Sequence, residues 1–195
     1  LDWAAENVCS VVCSCLATHA HFKVSHEIER VRLSEKRWGV YSHRVLEGDH
    51  PLVDGIDMRF DAPHSHVYDL SPTQFRDGGA RVLAESEEAG VHLAVSSDGL
   101  RFVYFQGHPE YDAASLLKEY KREVNRYIGG ERSTYPEFPL NCFEGEVVGI
   151  LQQYRESVLS ALQKGATPPA YPDHEVDPRS DNVWTDTGKA LFNNW

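Results

Sequence analysis

Apolar and polar positions change their period several times along this chain, and each change marks an element. From Val8 to Cys13 the residues are short, apolar and β-branched, and after Ser14 they become helix-friendly through Leu16, Ala17 and Ala20. A strand over 8–13 running into a helix over 16–24 is expected, with Cys15 at the joint and a short helix over 1–7 before it. The basic stretch from Arg30 to Arg37 reads as a loop. Apolar runs at 38–41, 80–84, 91–95 and 100–105 are separated by turn signals such as Asp54-Gly55, Asp77-Gly78-Gly79 and Asp98-Gly99, the pattern of strands. The last two runs predict a hairpin around Ser96, Ser97, Asp98 and Gly99.

The second half reads as helical. A helix over 113–128 is expected, with Asp112 as N-cap and Gly129-Gly130 as stop. Val147, Ile150, Leu151, Tyr154, Val158 and Leu162 recur at helical spacing, which predicts a helix over 145–164. Pro168, Pro169, Pro172 and Pro178 make 165–182 an irregular linker, and 184–195 closes the chain as a short helix. No internal repeat is visible.

Net charge −11 and a pI near 5.3 argue against binding to nucleic acid or to an anionic membrane. No apolar run approaches the roughly 20 residues of a membrane span, so a soluble, cytoplasmic protein is expected. The four cysteines do not form a disulfide framework on this reading, because no signal peptide is seen and a chain of this size can build a core without staples. Cys9, Cys13, Cys15, His19, His21 and His26 crowd together, yet they contain no CxxC pair. Ligands spread over a strand and successive helix faces would not converge, so no metal is expected.

Two features carry chemistry. A sharp strand-to-helix turn at Cys15 would lift its thiol above the sheet as a nucleophile elbow does, next to the unsatisfied N–H groups of a helix N-terminus. Cys9 and Cys13 are expected to act as small core residues, and Cys142 is given no role. The second feature is Gly107-His108-Pro109-Glu110-Tyr111-Asp112, directly after the apolar run 102–105. Residues i and i+2 of a strand point to one side, so an extended path through Pro109 would let Glu110 orient His108 as a base. His43 is expected to be a packed strand histidine, and His64 and His66 loop structure.

Together with Ser34-Glu35-Lys36, Gly39-Val40-Tyr41-Ser42-His43, His50-Pro51-Leu52, Gly55-Ile56-Asp57, Ala62-Pro63-His64-Ser65, the stretch from Leu83 to Val91 and the ending Leu191-Phe192-Asn193-Asn194-Trp195, these motifs resemble the homoserine O-acyltransferase (homoserine transsuccinylase) family. The resemblance implies an α/β fold, a class I glutamine amidotransferase-like (flavodoxin-like) sheet flanked by helices. Residues 1–139 would be the catalytic core, 140–182 a divergent helical insertion and linker, and 183–195 the last helix of the same domain. It implies the C-terminal part of a longer protein.

The function implied is acyl-CoA:L-homoserine O-acyltransferase of methionine biosynthesis, using a succinyl or acetyl donor and a ping-pong route through an acyl-cysteine. By the resemblance Cys15 is nucleophile, His108 general base and Glu110 its partner. Lys36, Ser65 and Arg122 contact substrate, and the Leu16 backbone N–H serves the oxyanion. Acyl-CoA is a co-substrate, no cofactor is held permanently, the acceptor is homoserine or serine, and a homodimer is expected. His66 stands where the family usually has Arg, which makes it a specificity candidate. Two alternatives are a glutamine amidotransferase-type hydrolase and a catalytically degenerate binding or regulatory relative. The elbow lacks the Gly-x-Cys-x-Gly pattern of the former.

Overall fold

The computed structural model describes residues 2–143, 145–176 and 183–195, and these divide into two compact units, one within 1–110 plus 183–195 and one within 111–182. Pro178 and the rest of 177–182 lie outside the described residues.

The first unit is built on a six-stranded sheet. Its strands are β1 (Val11–Ser14), β2 (Val31–Val45), β3 (Arg59–Asp69), β4 (Ala80–Ser86), β5 (Gly90–Ser96) and β6 (Phe102–Phe105), in the spatial order β1-β6-β5-β4-β2-β3. Only β1 and β6 pair in parallel; the other neighbours are antiparallel. Helices α1 (Asp2–Asn7), α2 (Leu16–His26), α3 (Pro72–Asp77) and α7 (Thr185–Asn194) complete the unit.

The strand β6, Phe102-Val103-Tyr104-Phe105, is buried at every position because both faces of the sheet are covered there. Val103 and Phe105 of β6 pack with Leu83, Leu93, Val95 and Leu191 in one core. Phe102 and Tyr104 of the same strand pack on the opposite side with Phe22, Leu70 and Phe75. Each buried side chain of this size contributes roughly 1.5–3 kcal/mol. Helix α3 begins with a full capping box, in which Ser71 accepts from the Gln74 N–H and Gln74 accepts from the Ser71 N–H, with Pro72 at the first helical position.

Several expectations needed correction. Arg30 to Arg37 is not a loop, since β2 starts at Val31, and its polar sequence reflects two exposed faces at its outer half. The strand β3 was not foreseen, because Pro63 sits inside it and polar residues interrupt its alternation. His64 and His66 therefore lie on a strand and are buried rather than in a loop. The first strand starts three residues later than expected, which leaves Cys9 exposed, whereas Cys13 is buried.

The second unit holds α4 (Ser115–Ile128), α5 (Gly145–Gln163) and the short α6 (Asp173–Val176). Leu116, Leu117, Tyr120 and Val124 form the buried stripe of α4, and Val147, Leu151, Tyr154 and Val158 that of α5. Gly129 caps α4 and Gly130 takes φ 76, the left-handed geometry that ends a helix without Cβ strain. Asp112 is not the N-cap: the cap is Ala114, and Asp112 instead accepts from the Ser115 hydroxyl at 2.7 Å. No described helix is long and apolar enough to cross a membrane.

Candidate active site

Cys15 sits between β1 and α2 with φ 46 and ψ −103. A positive φ in a residue with a Cβ costs on the order of 1–3 kcal/mol and persists only where the surroundings hold it. Here the Cys15 N–H donates to the Phe105 carbonyl at 2.7 Å, and the Thr18 hydroxyl lies 2.8 Å from the Cys13 carbonyl and 2.9 Å from that of Phe105. The elbow is thus pinned to the end of β6, two residues before the Gly107-His108 pair. Leu16 is the first residue of α2, so its N–H belongs to the set that a helix leaves without an intrahelical acceptor.

The structure brings His108 and Glu110 to this elbow. His108 Nδ1 and Glu110 Oε1 are 2.8 Å apart, and the His108 side chain is hydrogen-bonded to Cys15. The chain through Pro109 is a turn rather than the extended path expected, so the two side chains meet across a bend. Ser14, immediately before Cys15, donates its hydroxyl to the same Glu110 oxygen at 3.0 Å. The His108 N–H donates to the Pro63 carbonyl at 2.8 Å, which ties this part of the backbone to β3.

Burial alone would lower the basicity of His108, but its hydrogen bonds to Cys15 and Glu110 and their negative charge outweigh that effect and raise its pKa to about 9. Glu110 also feels burial, which favours the neutral acid. Burial is the largest single influence, but the hydrogen bonds from His108 and Ser14 and the charge of His108 together outweigh it, and the Glu110 pKa falls below the ordinary carboxylate value. The pair is therefore an imidazolium held by a carboxylate at neutral pH.

A cleft of about 220 Å³ beside Cys15 is lined by Leu16, His19, Arg30, Lys36, Ser65 and His66. The guanidinium of Arg30 lies 3.9 Å from the ring centre of Tyr68, and the ammonium of Lys36 lies 4.3 Å from that of Trp38. These ring contacts help to position both cations on the wall of the cleft. His66 does not present a titrating cation to the cleft. Its Nδ1 is 2.6 Å from the Tyr68 carbonyl and its Nε2 is 3.0 Å from His64, and burial lowers its pKa to about 4.

Sequence reading missed Gln106, which is buried behind the site and makes four hydrogen bonds. Its carbonyl oxygen faces the Leu70 N–H at 2.7 Å and His19 Nε2 at 3.1 Å, and its amide nitrogen donates to the carbonyls of Leu70 and Val91 at 3.0 and 3.1 Å. Ser14 and Arg30 were missed as well, although adjacency to Cys15 marks Ser14 in hindsight. Arg122 belongs to the second unit, on α4, where it is exposed and 3.7 Å from Glu123 and 4.0 Å from Glu119.

A strained strand-to-helix cysteine hydrogen-bonded to a histidine and its carboxylate, on a mixed sheet with helices, defines a class I glutamine amidotransferase-like α/β protein. A glutamine amidotransferase from Methylobacillus flagellatus shares this fold at a TM-score of 0.51 over 88% of this chain and 68% of its own, with 18% sequence identity. Residues 1–195 match the family described as HTS, homoserine O-succinyltransferase, and the chain belongs to that family. It is 56% identical over 194 residues to the homoserine O-succinyltransferase of Methylococcus capsulatus and 53% identical over 195 residues to that of Allochromatium vinosum. All of this chain is covered in both comparisons but only 55% of each relative, so the chain spans about half the length of the curated relatives it matches.

Proposed function

We propose that this chain carries the nucleophile, base and orienting acid of an acyl-CoA:L-homoserine O-succinyltransferase acting in methionine biosynthesis. The observation that carries the reading is the hydrogen-bonded series Cys15, His108, Glu110 built on the elbow. The Cys15 sulfur attacks the thioester carbonyl of the acyl-CoA. The bond to the CoA sulfur breaks, and His108 gives its proton to the departing thiolate. Homoserine then enters; His108, now neutral, takes the proton of its hydroxyl as that oxygen attacks the acyl-cysteine, and the Cys15 sulfur leaves. Backbone N–H groups at the start of α2, Leu16 among them, would stabilise the oxyanion of both steps.

Arg30 and Lys36 in the cleft beside Cys15 favour a donor whose acyl group ends in a carboxylate, which supports succinyl over acetyl. Ser65, on the same wall, is a further polar contact for substrate. Intact-mass measurement after incubation with succinyl-CoA, without acceptor, is expected to show one succinyl group on Cys15, discharged when homoserine is added. Absence of any acyl adduct with succinyl-CoA and acetyl-CoA alike would overturn this reading.

A further inference from the structure

Directly behind His108 lies a second group of histidines that the proposed reaction does not use. His43 of β2, His64 of β3 and His92 of β5 are all buried, and each offers one ring nitrogen such that the three nitrogens lie within 4.8 Å of one another. The rings of His43 and His64 are nearly parallel, with centres 5.0 Å apart, and His92 lies 4.8 Å from His43 and 5.5 Å from His64. Phe60 and Phe105 wall the group in.

Buried polar atoms normally have partners. Among the described residues, both ring nitrogens of His92 and Nδ1 of His43 have none. A Cβ added at Gly107 would stand 2.6 Å from His92 Nδ1 and 2.7 Å from His64 Nε2. Two nitrogens from different strands therefore converge on the space over this glycine.

The tautomer of His64 is set from outside the group. The Tyr68 carbonyl can only accept, so His66 Nδ1 carries the proton of that contact and neutral His66 Nε2 accepts from His64 Nδ1. His64 Nε2 is left with a lone pair aimed inward, 3.0 Å from His43 Nε2. An imidazole that donates its far N–H to a fixed acceptor is the usual second-shell arrangement of a metal ligand. His43 can join by moving its proton from Nε2 to Nδ1, beside the Tyr41 backbone, which lies near it without forming a hydrogen bond of normal geometry.

We propose that His43, His64 and His92 form a binding site for a single divalent transition-metal ion of the zinc type. Three neutral imidazoles suit Zn²⁺ or Co²⁺ and exclude Mg²⁺ and Ca²⁺, which require oxygen ligands. A solvent-derived oxygen would complete the coordination. The ion would cross-link β2, β3 and β5 behind the residue that precedes His108.

The test uses Cys15→Ser protein, so that the active-site thiol cannot compete for metal, stripped with chelator and equilibrated with Co²⁺ and separately with Zn²⁺. One ion per chain, visible Co²⁺ absorption of tetrahedral or five-coordinate intensity and a rise in melting temperature are expected. His92→Phe, which fills the site with a ring, and His43→Asn are each expected to weaken binding by at least about tenfold, the loss that follows even when only an orienting neighbour is removed. Far-UV circular dichroism of the metal-free variants establishes that both are folded. Failure of the Cys15→Ser protein to bind either ion with unit stoichiometry would overturn the proposal. So would binding that is unchanged in whichever of the two variants folds.

Discussion

Two histidine environments lie back to back in the first unit, and they carry opposite charge states. His108 is held as an imidazolium with its pKa near 9, whereas His64 and His92, one layer deeper, are held well below the ordinary imidazole value by burial. Burial acts in the same direction on all three. What differs is the partner: His108 faces a carboxylate and a thiol, while His64 and His92 face other imidazoles and aromatic rings. Chemical company rather than depth decides which histidine can move a proton at neutral pH.

The contrast can be broken most severely at His108 itself. Replacing His108 with Asn keeps a polar group there but removes proton transfer, and the acyl transfer proposed for this chain is expected to fall by roughly two to four orders of magnitude in steady-state assays. Gly107→Ala attacks both environments at once. Its Cβ would meet His92, His64 and, at 2.8 Å, the Pro63 carbonyl that anchors His108. A loss on the order of 1–3 kcal/mol in denaturant unfolding, with a fall in activity beyond that of a merely less stable protein, is the expected outcome. An alanine variant with normal stability would show that the two groups are not packed as described.

Acid probes the buried histidines, the inner group among them. His43 has a pKa of about 4 in the folded state, lowered by burial, against about 6.5 when unfolded. Because the folded value is the lower one, its contribution is complete above pH 6.5 and is lost as pH falls towards 4, amounting to on the order of 3 kcal/mol. Metal-stripped protein should therefore lose stability across that window, and His43→Phe should flatten the slope.

The outer group responds in the opposite sense. The folded pKa of His108 lies above its unfolded value, so the stability it supplies is complete below about pH 6.5 and fades as pH rises through about 9. In Glu110→Gln a nuclear magnetic resonance titration should find the His108 pKa shifted downward and the alkaline loss of stability diminished. The smallest expected effect is that of Ser14→Ala, which removes one hydrogen bond to Glu110, worth about 0.5–1.5 kcal/mol, and should slow turnover by only a few-fold to about tenfold.

The two groups also differed in how far the sequence revealed them. Cys15 was legible because a change from β-branched to helix-friendly residues is a local signal, and the His108–Glu110 pair because it follows a clear apolar strand. The geometry that joins the pair was not, since a proline-containing turn and an extended segment can both bring side chains two residues apart together. The inner histidines come from three strands, and their meeting depends on strand order, which has no local signature. One of those strands, β3, was itself hidden by Pro63 and by polar residues at buried positions. Arg122 was named only through the family resemblance; in the structure it lies beside Glu119 and Glu123 of its own helix.

Gln106 has a consequence of its own. An amide with its oxygen facing two donors and its nitrogen giving both hydrogens to carbonyls has no spare valence, and each requirement is met by only one end of the side chain. Glutamate, equal in size, would set a second oxygen against the Leu70 and Val91 carbonyls; histidine and leucine would abandon at least two of the four contacts. The position is in effect a lock with a single key, and it lies two places ahead of His108.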